Sequence, residues 1–366
     1  MAERLPPSTV RVEPFDSAQD RPVETQRVAG LRPFDKLRTG QAQSERSESA
    51  RGLLDHALGW RWALPLFVLL LALPLITPLI GGDFYLGLAA RILIFALAAT
   101  SLNLILGFGG LVSFGHAAFV GVGAYTAGVL LQAGVTSAWV LWPAAMIVAA
   151  LFAAVIGAIS LRTRGVYFIM ITLAFAQMLY YLALSTKAYG GDDGLSLSAR
   201  GTLGAGLDLA NERTFYWTTL ALATLVLLFV WRLLNARFGH ALQAMRENEQ
   251  RMEAVGFAVY GHKLTAFVIA GALAGLAGAL LASLGGFVSP STMQWGQSGL
   301  LMVMVILGGV GHLWGGVIGA AVFLLLEEVL SHYTIYWQFV LGAVLLAVVL
   351  AAPNGLMSLF RRKERA

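Results

Sequence analysis

The sequence predicts an all-α, polytopic integral membrane protein of about ten transmembrane helices, with glycine-broken segments and both termini cytoplasmic. Three observations carry that expectation. Of 366 residues, 58% are hydrophobic and only 12% are charged, whereas soluble domains carry about 25% charged residues. The charges are unevenly spread: residues 1–61 hold 10 Lys/Arg and 9 Asp/Glu, against 15 and 11 in all the rest. That remainder consists of apolar stretches long enough to cross a bilayer.

The same composition excludes several function classes. Without a cysteine, the chain has no disulfide, no thiolate nucleophile and no cysteine-ligated metal. The net charge of +5 lies beside membrane spans, where it reads as orientation rather than as a nucleic-acid footprint. No metal site and no catalytic constellation emerge from the residues.

Residues 1–58 form a polar extension. Balanced charge with Gln, Ser and Pro buries too little apolar surface to offset ordering entropy, so disorder is expected. The stretch 1–50 has no apolar run and is neither a secretory signal nor a span. It carries a crude repeat, Pro14-Phe15-Asp16 and Pro33-Phe34-Asp35. A docking tail and a dispensable extension are both open readings, with the second preferred. Residues 59–360 make the membrane domain, and 361–366 a basic cytoplasmic tail.

The first span, 62–80, has twelve Leu/Ile/Phe/Val and no charge, worth about −4 to −7 kcal/mol on insertion. Its Pro65, Pro74 and Pro78 are tolerated in a membrane. Further apolar segments follow at about 86–107, 117–135, 138–161, 165–186 and 215–235, then 263–285, 298–311, 313–330 and 336–352. The segment 298–311 is too short to cross alone.

Basic clusters test this order by the positive-inside rule. Arg51 and Arg61 precede the first span; Arg162 and Arg164 follow the fourth. Arg232, Arg237, Arg246, Arg251 and Lys263 lie between the sixth and seventh, and Arg361, Arg362, Lys363 and Arg365 follow the tenth. All fall on one side. The nearly neutral loop 187–214 falls on the other. Arg91, Glu327 and Glu328 lie near outer span ends, where snorkelling makes a charge cheap and an anchoring role is the expectation.

Two glycine breaks stand out. The first runs from Asn103 through Gly107, Gly109, Gly110, Ser113, Gly115 and His116; the second holds Gly308, Gly309, Gly311, His312, Gly315 and Gly316. Bare backbone at membrane depth is allowed where it is buried in protein or lines a watery cavity, and broken helices present free N–H groups to anions. Asn103, Gly109, Gly110, Ser113, His116, Gly308, Gly309 and Gly311 are therefore candidates for a translocation pathway. Small-residue packing explains the same spacing equally well, through pairs such as Ala117 with Gly121 and Ala124 with Gly128. The two breaks also suggest an internal repeat of transporter type.

The polar stretch 239–256 reads as one amphipathic cytoplasmic helix. Leu242, Met245, Met252 and Val255 recur on one face, Glu247 and Arg251 form an i,i+4 pair, and Gly256 is a natural stop. Both signs of charge on the polar face favour docking to a cytoplasmic partner over lying on lipid. The chain has no phosphate-cradling Gly-x-x-x-x-Gly-Lys-Ser/Thr loop, no His-Glu-x-x-His and no Gly-x-Ser-x-Gly. It is read as a non-enzyme.

Several motifs, in order, now carry a resemblance. Gly110-Leu-Val-Ser-Phe-Gly-His-Ala-Ala-Phe, Ala244-Met-Arg-Glu-Asn-Glu and Leu307-Gly-Gly-Val-Gly-His-Leu-Trp-Gly are similar to the M-type, LivM-like permeases of branched-chain amino-acid ABC importers. So are Gly190-Gly-Asp-Asp-Gly-Leu and Ala352-Pro-Asn-Gly-Leu. The resemblance covers about residues 60–360. It implies a permease subunit of the bacterial inner membrane, paired with an H-type permease, two cytoplasmic ATPase subunits and a periplasmic binding protein. ATP and Mg would then be bound by the partners, with no cofactor on this chain. It also implies that 239–256 is the ATPase-coupling region, with Leu242, Ala244, Met245, Arg246, Glu247, Glu249, Met252 and Gly256 as its residues. The implied substrates are branched-chain or related amino acids, with urea or short amides as the alternative in the family. An ion-coupled secondary transporter is the rival class; it calls for intramembrane carboxylates or His chains, which the inner half of the spans nearly lacks.

Overall fold

The structure is a computed structural model that describes residues 83–197, 200–204, 208–352 and 355–357, with 70–72 and 74. The extension 1–58, most of the first span 62–80, Arg51, Arg61, Pro353, Asn354 and the tail 361–366 lie outside the described residues.

Helices account for nearly all of it. They are α1 (Asp83–Asn103), which runs on into a π-helical turn Leu104–Phe108, then α2 (His116–Gln132), α3 (Ala138–Ser160) and α4 (Val166–Ser185). After a loop come α5 (Glu212–Asn235), two short helices α6 (Arg237–Glu247) and α7 (Glu249–Ala254), and the long α8 (Val259–Gly285). The chain continues with α9 (Trp295–Gly308), α10 (Gly315–Tyr333) and α11 (Trp337–Ala351). Every apolar segment expected from residue 86 onward coincides with one of these helices. Among the described residues, six helices are long and apolar enough to cross a membrane, and Trp295–Gly308 and Trp337–Leu350 are shorter apolar helices. The protein is thus a mostly helical, multi-pass membrane protein.

The middle of the bundle is α8, packed on α2, α3 and α1. Its small residues are the reason. A methyl group placed on Gly275 would lie 2.4 Å from the Ala149 Cβ, one on Gly271 2.4 Å from the Ala153 Cβ, and one on Gly278 1.8 Å from the Val120 carbonyl oxygen. Lipid tails are as apolar as Leu, so helices in a membrane gain by bringing backbones into van der Waals contact, which only small residues permit. The glycine of α2 that meets α8 is Gly123, whose added methyl would sit 2.1 Å from the Gly275 oxygen. The packing reading of the glycine-rich α2 is therefore correct for this face, through Gly123 and, of the pairs expected, Ala124, whose amide nitrogen lies 2.9 Å from a methyl group placed on Gly278.

The two ends differ in charge. One end carries Arg164, which pairs with Glu249 and Glu253, both at 3.4 Å, and Lys263, which pairs with Glu249 at 2.8 Å. This is the end that carries the basic residues expected on one side of the membrane. At the opposite end Leu195–Ser196 pairs antiparallel with Phe287–Val288. Beside it Arg200 holds Glu212 at 2.8 Å and lies over the Phe215 ring. Within the loop that reads as nearly neutral, Arg200 and Glu212 thus offset each other directly.

Candidate translocation and coupling site

The first glycine break begins where α1 widens into the π turn, all five of whose residues are buried. Such widened turns occur mostly as single insertions and often at functional positions. Gly109 continues the turn, and Gly110 has φ +68°, the left-handed region that glycine enters without strain. The chain then reverses through Ser113 and Gly115 into α2 at His116. The second break is built alike. The helix α9 stops at Gly308, Gly309 and Gly311 take φ +121° and +80°, and α10 starts at Gly315.

The breaks meet, although about two hundred residues separate them in sequence. Asn103, 1% exposed, uses its side-chain amide as a spare peptide unit: Nδ2 donates to the His312 carbonyl at 2.7 Å, and Oδ1 accepts from the Gly311 amide at 3.1 Å. Gly107 must be glycine for this to happen. A methyl group there would lie 2.1 Å from Asn103 Oδ1 and 2.5 Å from the Gly311 nitrogen. Gly308 is held as closely, with an added methyl 1.8 Å from the Gly315 oxygen. Gly309 is buried against Gly355, on the far side of α11.

His116 is fully buried and its Nε2 lies 2.8 Å from the Ser101 Oγ. Ser101 spends its single hydroxyl hydrogen on the Ala98 carbonyl, 2.7 Å away. It therefore accepts from His116, which places a proton on Nε2. His116 is an anchor between α1 and α2. Ser113 is buried and accepts from the Gly115 amide at 3.3 Å. The free N–H groups expected at the start of α2 are not all free. The hydroxyl of Ser298 on α9 accepts from the Ala117 amide at 2.9 Å. Sequence reasoning missed Ser298, because nothing local marks a hydroxyl that caps a helix 181 residues away.

The stretch 239–256, read as one helix, is two helices. Asn248 adopts φ −153°, ψ 98°, ends α6, and caps α7 by accepting from the Arg251 amide at 2.9 Å. Glu247 and Arg251 thus sit on different helices, and the expected i,i+4 pair does not form; Glu249 turns to Lys263 and Arg164. The stop is where expected, with Gly256 at φ +94° after α7.

The apolar face is also used differently. Leu242 is 0% and Met245 2% exposed; Leu242 joins the main core, and Met245 packs with Ala241, Val259 and the half-buried Met252. That face is covered by this chain's own helices. Outward residues include Arg246, Glu247, Arg251, Glu253, Val255 (68% exposed) and Phe257 (42%). Ala244 is half-buried. Arg246 reaches from α6 to the first break, where its Nη1 donates to the Gly107 carbonyl.

Further out, a cavity of about 230 Å³ opens between α1, α2, α8 and α9. Ala98, Ala117 and Leu301 form apolar walls, and Arg91, Thr292 and Gln297 bring polar groups to it. Arg91 is not a lone anchor: it pairs with Glu327 of α10 at 3.2 Å.

Residues 84–349 match the family of branched-chain amino acid transport system permease components. The chain belongs to that family. Over 297 residues it is 30% identical to the high-affinity branched-chain amino acid transport system permease protein LivM of Salmonella typhimurium, covering 75% of this chain and 70% of that one. It is 29% identical over 317 residues to the LivM protein of Escherichia coli, covering 80% and 75%. A probable LivH permease of Methanocaldococcus jannaschii is 26% identical over 194 residues, covering 50% and 58%. No solved structure matches the chain. For this permease family member, the matched region holds both glycine breaks, the cavity and the segment α6–α7.

Proposed function

We propose that this chain is the M-type membrane subunit of an ATP-driven importer in the bacterial inner membrane, carrying branched-chain or related amino acids. Its partners are an H-type permease, two cytoplasmic ATPase subunits that bind ATP and Mg, and a periplasmic binding protein. The observation that carries the reading is the family match across 84–349, together with LivM relatives covered over most of their length. The cavity supports an amino acid with an aliphatic side chain over urea, since its Ala and Leu walls offer apolar contact. The outward rim of α7, with Val255 and Phe257 exposed beside Glu253 and Arg251, is the surface proposed to receive the ATPase.

Reconstitution tests this. The chain, its companion permease and the ATPase subunits in proteoliposomes should take up labelled leucine only with ATP and loaded binding protein. Uptake by the chain alone under an ion gradient would establish the secondary-transporter class instead. Uptake of urea but not leucine would overturn the substrate.

A further inference from the structure

Arg246 is an exposed residue of α6 whose side chain nevertheless reaches a buried turn. It belongs to α6 at the basic end, yet its side chain runs to the first glycine break. A methyl group on Gly110 would lie 2.9 Å from the Arg246 Cγ, and one on Gly311 3.1 Å from its Nη1. The exposed side chain therefore lies against both breaks while it donates to the Gly107 carbonyl. That carbonyl needs an outside donor. The widened turn sends the Leu111 amide back to the Ile105 oxygen, at 2.9 Å, bypassing the Gly107 oxygen that an α-helical continuation would have bonded. A cation at the C-terminal end of α1 also meets the negative end of its dipole. Behind Gly107, Asn103 ties the first break to Gly311 and His312 of the second.

We propose that Arg246 is a latch: it couples the position of the cytoplasmic segment α6–α7 to the closure of the two glycine breaks against each other. When α6 moves, the Arg246–Gly107 bond breaks and the Asn103-bridged contact loses its backing, which opens the cytoplasmic end between α1 and α9. The transport role of the opening rests on the function proposed above, but the latch itself is a property of this chain. Arg246 is a positioning residue; it acts through Gly107 and Asn103.

The absence of cysteine makes the test clean. Val310, half-buried between Gly309 and Gly311, is changed to Cys in the full chain. Its reaction with a membrane-impermeant thiol reagent is followed in inside-out vesicles. Loss of one charged hydrogen bond corresponds to about tenfold in an opening equilibrium, so Arg246→Gln should raise the V310C modification rate about tenfold. Arg246→Lys, which keeps a cationic donor, should return most of the way to the wild-type rate. In the reconstituted complex, uptake per ATP hydrolysed should fall in Arg246→Gln and be largely restored in Arg246→Lys. An unchanged V310C rate in Arg246→Gln, or equal rates in the Gln and Lys variants, overturns the latch. Thiol reactivity is read without transport, so a wild-type complex that fails to import leucine would sink the proposed function and leave the latch result standing.

Discussion

The hydroxyl of Tyr216 on α5 donates to the carbonyl of Leu70 at 2.8 Å, and the reason lies four residues further on. Pro74 is helical but has no N–H, so the Leu70 carbonyl lacks the donor that an i→i−4 bond would supply. Tyr216 supplies it from a neighbouring helix, and its own polar tip, on a fully buried residue, is satisfied by the same contact. The proline-rich first span is thus repaired from outside.

Tyr216→Phe should remove that repair and cost about 1–2 kcal/mol of stability. Replacing Pro74 by Ala in the same chain restores the backbone donor and should recover most of the loss. Thermal unfolding of the purified chain measures both; a double variant no better than Tyr216→Phe alone would refute the compensation.

Met245→Asp should destabilise this chain by several kcal/mol even without partners, because a charge replaces a side chain that is 2% exposed. Val255→Asp, at 68% exposure, should change the chain's own stability by no more than about 0.5 kcal/mol. It should nevertheless weaken co-purification with the ATPase subunits. The opposite pattern would return the docking role to the buried face.

Gly319→Ala puts a methyl group 1.7 Å from the Met304 carbonyl oxygen and should cost about 1–3 kcal/mol by overpacking. Gly342→Ala, inside α11 with nothing within 4 Å, should be neutral or stabilising by up to about 1 kcal/mol through helix propensity. Unfolding midpoints in one detergent compare the two directly, and equal effects would disprove the close α9–α10 approach.

Reporter fusions check the sidedness. A fusion after Asp193, in the loop beside the Leu195–Ser196 strand, should report as periplasmic, and one at Glu249 as cytoplasmic. Both on one side would overturn the orientation read from the basic clusters.

What was legible in the sequence follows from what is local. Hydrophobic length placed α3 at 138–161 and α4 at 165–186, against Ala138–Ser160 and Val166–Ser185, because insertion depends on the run of apolar residues itself. The glycine breaks were legible because glycine density changes backbone behaviour on the spot. The split at Asn248 had a local signal, an Asn followed by Glu249 in the first turn of a new helix, which the longer apolar periodicity concealed. That periodicity says that Leu242 and Met245 are covered; it holds no information on whether the cover is a partner or the chain's own α8 end. The Asn103–Gly311 bridge and the Ser298 cap are longer-range still, since each joins residues that only the folded bundle brings together.

The seam around α8 also decides where this chain tolerates change. Where Gly271, Gly275 and Gly278 press on Ala153, Ala149 and the α2 backbone, no side chain is present to rotate aside. Any larger residue there must push two helices apart along their whole length. Substitutions and labels therefore belong elsewhere. Gly134, Gly296 and Gly299 meet nothing within 4 Å; of these, Gly296 and Gly299 lie within α9 at φ values open to any residue. An engineer who wishes to retune this permease should leave the seam alone and vary the wall of the cavity that α9 supplies.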